Sequence, residues 1–373
     1  MVFSNFLVKG FPHYVLKYRY EKMKSREKLK ELSILVKFNI LDYAPVFEGS
    51  RPQEALAHSQ ELAQLADQLG YHRYWVAEHH NVSSVASSSP EMLMMQLAAS
   101  TERIRIGSGG VMLPHYSAYK VAENFRMLEG FHPNRIDLGI GRSPGFAVVN
   151  QALNEGKEEG PTYEQQITDL HYYFKNDKEE DFRFKYLRAT PLIETSPEMW
   201  LLGSSANSAK MAAEMGMAYS FANFIPGKTA NGARIIEKYR KDFQSSSTLN
   251  KPKVMVSIFV VVAETSEEAE NLAEAFDVWM LSMHSIKHQL PFYPSPETAK
   301  REKLKGVDEE RVAKNRDLII VGNPEEVKEQ IERLNEDYQA DEMTIIPHFY
   351  GAENRLKGIR LLAEIFGLNE RSL

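Results

Sequence analysis

The chain has 373 residues, 43% hydrophobic and 26% charged, with a formal net charge of −6 and no cysteine. This is globular composition without the basic face that nucleic-acid binding calls for. The lack of cysteine excludes disulfides, thiolate nucleophiles and cysteine-ligated metal centres, and fits a reducing cytoplasm.

Residues 1–33 read as a basic N-terminal extension. Within residues 1–30, Lys9, Lys17, Arg19, Lys22, Lys24, Arg26, Lys28 and Lys30 stand against Glu21 and Glu27, a local balance of +6. The segment lacks the apolar core and small-residue cleavage site of a secretory signal. It is either an arm packed on the outside or an over-long start ahead of Met23.

From residue 34 onward strand-like and helix-like runs alternate. Strands are predicted at 35–41, 72–77, 103–108, 135–140, 199–202, 218–222, 253–263 and 343–347. Helices are predicted at 52–69, 90–100, 118–128, 163–174, 206–215, 230–243 and 353–365. The helix at 90 opens with proline, which suits a first turn. Crossover helices between strands imply a parallel sheet, and eight units are the number that closes a (β/α)8 TIM barrel. An open doubly wound sheet is the alternative. Residues 34–373 exceed the roughly 250 of a plain barrel, which calls for insertions, placed near 175–197 and 265–318. No apolar run approaches the roughly 20 residues of a membrane helix.

Four predicted strands end in chemically loaded residues. The second runs into Glu78, His79, His80 and Asn81. Histidine titrates near neutrality, so one imidazole is read as a proton donor or acceptor and the other as a positioning group; a capping or buried structural histidine is the bland alternative. A metal site needs further converging ligands, and only His115 and His348 sit at other strand ends, with no HxH or HExxH spacing. Gly107-Ser108-Gly109-Gly110 offers bare backbone against which a flat ligand can lie, and suggests a bulge at the rim. In Gly139-Ile140-Gly141-Arg142-Ser143-Pro144-Gly145 a dinucleotide loop is disfavoured, because Pro144-Gly145 interrupts and the next helix is placed only at 163. Arg142 reads better as a guanidinium for phosphate or carboxylate. Gly203, Ser204, Ser205 and Ser208 open a helix, where hydroxyls and free N–H groups make an anion site; plain serine capping is the alternative. Met92, Met94, Met95, Met211, Met215 and Met217 read as packing residues.

The segment Leu69-Gly70-Tyr71-His72-Arg73-Tyr74-Trp75-Val76-Ala77-Glu78-His79-His80-Asn81 resembles the second-strand signature of the bacterial luciferase-like, flavin-dependent monooxygenase family. Val121-Ala122-Glu123-Asn124-Phe125-Arg126-Met127-Leu128 and Pro133-Asn134-Arg135-Ile136-Asp137-Leu138-Gly139-Ile140-Gly141-Arg142-Ser143-Pro144-Gly145 are similar to its third helix and fourth strand. The resemblance covers about residues 34–370 and is to the single-chain oxidoreductases rather than a light-emitting subunit. It implies a (β/α)8 barrel with FMN at the C-terminal face and a cis peptide at Gly109-Gly110 beneath the flavin ring. It also implies that Arg142, Ser204, Ser205 and Ser208, beside Gly203, hold the phosphate. His79 matches the histidine tied to the family's oxygen chemistry, and His80 its neighbour. The expected activity is oxidation of a small organic substrate, an aldehyde among the candidates, by O2 and reduced FMN from a separate flavin reductase. The expected assembly is a homodimer through the helices at 90–100 and 118–128. A flavin- or deazaflavin-dependent dehydrogenase and a non-catalytic flavin-binding protein are the alternatives.

Overall fold

Nine parallel strands are laid down in chain order: β1 Lys37–Asp42, β2 Arg73–Val76, β3 Arg105–Met112, β4 Ile136–Gly141, β5 Glu198–Gly203, β6 Ala218–Ala222, β7 Val254–Val262, β8 Ile319–Gly322 and β9 Glu342–Ile346. The computed structural model describes residues 36–157, 160–175, 182–225, 231–283, 289–304, 306 and 308–368; the basic extension 1–33 lies outside them. Neighbours in the sheet run β6-β5-β4-β3-β2-β1-β9-β7-β8, and β6 also pairs with β7. That last pairing closes eight strands into a barrel and leaves β8 outside the ring.

Strand β7 makes this possible by being long. Its first half pairs with β6 and β9, and its last residues, Phe259 to Val262, pair with Ile319 to Gly322 of β8. All nine residues of β7 are buried, as expected for a strand covered on both faces.

Among the described residues twelve helices surround the strands: α1 Pro52–Gln68, α2 Pro90–Ala99, α3 Ala118–Phe131, α4 Ala147–Leu153, α5 Tyr163–Phe174, α6 Ala206–Glu214, α7 Gly232–Asp242, α8 Ser266–Ser282, α9 Pro296–Leu304, α10 Glu309–Arg316, α11 Pro324–Tyr338 and α12 Ala352–Ile365. The closed parallel barrel with flanking helices is the predicted fold class. Five elements escaped the sequence reading: α4, which begins only two residues after Gly145, the helices α9 and α10, and the pair β8 and α11. The segment 265–318 begins with helix, α8, as expected, and α9 and α10 follow. Within the segment 175–197, residues 182–197 carry no helix and no strand before Pro197.

The barrel interior is built in layers. At its N-terminal end Arg73 meets Asp137 at 2.6 Å, Glu342 at 2.8 Å and Glu198 at 3.1 Å. Lys253 joins Glu198 at 2.7 Å and Glu342 at 3.2 Å. Above these charges Trp75 and Trp200 meet edge to face at 5.8 Å, with the Arg73 guanidinium 5.1 Å from the Trp200 ring. The Trp75 indole N–H donates to Asp137 at 2.9 Å, which ties the two layers.

The tryptophans explain the glycines. A Cβ on Gly107 would lie 2.4 Å from Trp75 Nε1, and one on Gly109 2.6 Å from Leu41 Cδ1. Gly107 and Gly109 are therefore required by the side chains that fill the barrel, whereas a Cβ on Gly110 would meet the Gly139 backbone oxygen at 2.7 Å. The predicted bulge is present, as the β3–β4 register shifts between Ser108 and Val111. The Gly109–Gly110 peptide is cis.

Candidate active site

A cavity of about 560 Å³ opens at the C-terminal mouth of the barrel, the end where β/α enzymes carry their chemistry. Its walls come from the ends of six successive strands and from Met283 just after α8. His79, His80, Gly109, Gly110, Arg142, Gly203, Ser204, Ser205 and Ser208 all line it. Residues spread over 130 positions of sequence are thus brought to one place by the strand ends alone.

At the end of β2, Glu78 is nearly inaccessible and saturated with donors. Its carboxylate accepts from the Met112 N–H at 2.8 Å, the Tyr116 hydroxyl at 2.5 Å and His80 at 2.8 Å. A carboxylate can only accept here, so His80 Nε2 carries the proton that it donates. Burial and the bond to Glu78 push the Tyr116 hydroxyl's pKa up, which keeps it a donor. Glu78 and His80 share a side, as strand alternation predicts, and the interaction fixes His80 in one orientation.

His79 differs. Its backbone N–H is tied to the Ser87 carbonyl at 2.9 Å, but its ring makes no hydrogen bond among the described residues. It lies 4.7 Å from the Tyr43 ring at 48°. Burial, with a smaller effect of His80, lowers its pKa from the ordinary 6.5 to about 4. The imidazole is therefore neutral near pH 7, and its ring opens onto the cavity.

The opposite side of the mouth is built by β4, β5 and the start of α6. Arg142 is exposed just past β4 and makes no ion pair among the described residues. Ser205 is the N-cap of α6: its hydroxyl accepts from the Ser208 N–H at 3.2 Å, and the Ser208 hydroxyl accepts from the Ser205 N–H at 3.2 Å. Ser208 also donates to the Ser205 carbonyl at 2.8 Å and meets the Tyr219 hydroxyl at 3.0 Å. The capping reading of Ser205 and Ser208 is therefore correct as far as their hydroxyls go. A helix start still leaves N–H groups unpaired, here those of Ala206 and Asn207, beside the Ser204 hydroxyl, which has no partner among the described residues. Arg142 and this helix tip face one cavity, so they can grip one anion.

Several cavity residues were not picked out from the sequence. Tyr43 follows β1 directly, and the strand-end rule applied to β1 would have found it. Phe146, Phe224 and Met283 supply apolar wall, with no signal that separates them from ordinary core. Tyr116 acts through Glu78 across 38 positions, which no local pattern reveals. Met211, read as packing, lines the cavity, whereas Met92 is 76% exposed.

Residues 36–341 match the family model described as luciferase-like monooxygenase. The uncharacterized protein YwcH of Bacillus subtilis is 44% identical over 89% of this chain and 99% of its own length. The N-acetyl-S-alkylcysteine monooxygenase of the same organism is 35% identical over 88% and 98%. The crystal structure of apo-MsnO8 superposes with a TM-score of 0.80 at 33% identity, covering 90% of this chain and 99% of its own. Farther off, the oxygenase component of a flavin-dependent trigonelline monooxygenase from Acinetobacter baylyi is 25% identical over 59% of this chain and 62% of its own. The oxygenating constituent of 3,6-diketocamphane monooxygenase from Pseudomonas putida, in complex with FMN, has a TM-score of 0.63 at 17% identity, covering 89% and 98%. An F420-dependent secondary alcohol dehydrogenase has the same TM-score at 16%, covering 90% and 99%. These last two likenesses are of fold alone.

Proposed function

The chain belongs to the luciferase-like monooxygenase family, and is an oxidoreductase; from that premise we propose that it is an FMN-dependent monooxygenase that oxidises a small organic substrate with O2. The observation that carries this reading is the polarity of the cavity at the mouth. One side offers a cation and a helix tip, the other an unpartnered imidazole, and Gly109 and Gly110 lie between them.

The donor set fits FMN. Arg142, the Ser204 hydroxyl and the N–H groups of Ala206 and Asn207 would hold the phosphate, with charge, hydroxyl and helix dipole acting together. Gly203 keeps the chain close to that tip, since a Cβ there would lie 2.2 Å from Ser208 Oγ. Ser205 and Ser208 shape the tip through the capping box. The bare backbone of Gly109 and Gly110 leaves room for a flat ring system. Reduced FMN, when bound, supplies the two electrons with which one oxygen atom enters the substrate and the other leaves as water.

The protein's own groups do the rest. His79, neutral at working pH, holds or accepts a proton at its ring nitrogen beside the reacting atoms. His80, oriented by Glu78 and Tyr116, positions the flavin or the substrate. Val82, Phe146, Leu202, Phe224 and Met283 keep water from the reacting groups. A separate flavin reductase supplies the electrons, a division of labour supported by the oxygenase component among the relatives. We place the protein in the cytoplasm, for which the cysteine-free sequence argues; no described helix is long and apolar enough to cross a membrane. A homodimer through α2 and α3 is supported by exposed Met92, Met127 and Phe131 on those helices, and light scattering reads it directly.

The test is oxygen uptake with FMN, a reductase and a panel of aldehydes, ketones and thioethers, followed by isotope-labelled O2. The expected result is substrate-stimulated uptake with one labelled oxygen in the product. Substrate oxidation that reduces flavin or deazaflavin with no oxygen uptake establishes a dehydrogenase instead. Flavin binding without turnover across the panel points to a protein that has lost catalysis.

A further inference from the structure

Buried polar groups in folded proteins almost always find a partner, so each one that does not needs a reason. Tyr43 is such a group. It lines the mouth cavity and is only 6% exposed, yet its hydroxyl makes no hydrogen bond among the described residues. The oxygen is not sealed in, unlike the two ring nitrogens of the neighbouring His348. It opens onto the space that His79 also faces.

The ring is held with unusual firmness for a residue at a loop start. It sits between His79 at 4.7 Å and His348 at 5.1 Å, with Phe259 at 5.9 Å and Trp279 at 6.5 Å edge-on. The backbone on either side is fixed as well. Asp42, the last residue of β1, is fully buried and accepts from Arg355 at 2.6 Å, Ser59 at 2.5 Å, Tyr74 at 2.8 Å and the Ala44 N–H at 2.9 Å. Tyr43 is thus clamped between Asp42 and Ala44, and Ala44 takes a left-handed φ of 51° to accept the clamp. Such fixing of a side chain whose polar end touches only the cavity is how a binding group is preorganised.

Topology says which end of the ligand it meets. Around the barrel β1 lies opposite β5, so Tyr43 stands across the mouth from Ser204 and Ser205. It cannot serve the anion grip and belongs to the end where His79 stands. Burial pushes the phenol's pKa up, so it remains an O–H donor throughout the working range.

We propose that Tyr43 contacts the substrate directly, its hydroxyl donating a hydrogen bond to a neutral acceptor oxygen, such as a carbonyl, held beside His79. The proposal rests on the reading of the mouth as the substrate- and flavin-binding cavity. It adds the recognition element: a substrate with an uncharged acceptor at the reacting end, whose oxygen satisfies a donor that the protein leaves unpaired.

The test compares cyclohexanone with methylenecyclohexane, which differ only in =O against =CH2. Binding of each is followed by tryptophan fluorescence, because Trp279 packs in the same cage as Tyr43. Titrations use the full chain with and without saturating FMN, and FMN affinity is measured separately. One net hydrogen bond is worth about 1 kcal/mol, so the wild type is expected to prefer the ketone by about fivefold. Tyr43→Phe should bind both probes alike, at unchanged Tm and unchanged FMN affinity. A ketone preference that survives in Tyr43→Phe, or no preference in the wild type, overturns the proposal. Should Tyr43→Phe lose its fold, Tyr43→Trp, which keeps the aromatic cage and lacks the hydroxyl, is read by the same ratio. Loss of FMN binding by the wild type is a different result and contradicts the flavin reading, since the ketone preference is measured without flavin as well.

Discussion

The two ends of this barrel differ in how many of their polar groups are left unpaired. At the N-terminal end Arg73, Lys253, Arg105, Asp137, Glu198 and Glu342 are bound to one another. Burial alone would raise the pKa of Glu342, but the Arg73 and Lys253 charges reverse that and hold it well below the usual carboxylate range. At the C-terminal end Arg142, Ser204, His79 and Tyr43 have no hydrogen-bond or ion-pair partners among the described residues. Partnered charges fix an architecture, and unpartnered ones wait for a ligand. The lesson is that pairing, more than residue type, separates the structural end from the functional one.

The comparison is broken most severely by removing its central cation. Arg73→Met leaves the buried Asp137 with Arg105 and the buried Glu342 with Lys253 as their remaining counter-charges, and losing the central cation should cost about 3–5 kcal/mol of stability. Urea denaturation measures it, and a loss below about 1 kcal/mol would mean that the floor charges are not mutually dependent. At the mouth, His79→Asn should lower turnover by roughly a hundredfold or more with the urea midpoint unchanged. Equal turnover in steady-state oxygen uptake removes His79 from the chemistry. Arg142→Ala should weaken FMN binding by about tenfold to a hundredfold, again without loss of stability, as read by flavin fluorescence.

A smaller effect sharpens the contrast through pH. His72 at the floor has its pKa lowered to about 4, first by burial and then by Arg73, and His79 at the mouth is also lowered to about 4. Both take up protons more readily in the unfolded chain, so the stability tied to their neutral forms is complete above pH 6.5. It is lost as the pH falls from 6.5 through about 4. Urea midpoints should fall across that window, and His72→Gln should flatten part of the slope. The acid limb of kcat/KM should lie near 4 and stay there in His72→Gln. A limb near 6.5 would mean that His79 titrates as an ordinary exposed histidine.

Much of this was legible in the sequence, for reasons that differ by element. Eight barrel strands were visible because each is a short apolar run followed by a helical period. Strand β8, Ile319–Gly322, was not read although it carries the same signature, being as short as β2 and followed by α11; only its place outside the closed ring sets it apart. Helix α11 carried a readable signal that was passed over: Asn323 caps the Glu326 N–H at 3.0 Å, and Glu326 reaches back to the Asn323 N–H at 3.0 Å. The strand-end rule brought His79, Arg142 and Ser204 to one cavity, because barrel closure forces strand ends together. It left capping and anion binding by Ser208 as alternatives, and it could not tell that Gly107 makes room for Trp75. Those facts depend on which side chains fill the interior, and they arise only when the sheet closes.

The affinity of the protein for FMN against riboflavin, which differ by the phosphate alone, addresses the anion grip most directly. Binding of FMN at least tenfold tighter, with the difference collapsing in Arg142→Ala, is the expected outcome. Equal affinities in the wild type would contradict the assignment of Arg142 and the α6 tip to a flavin phosphate.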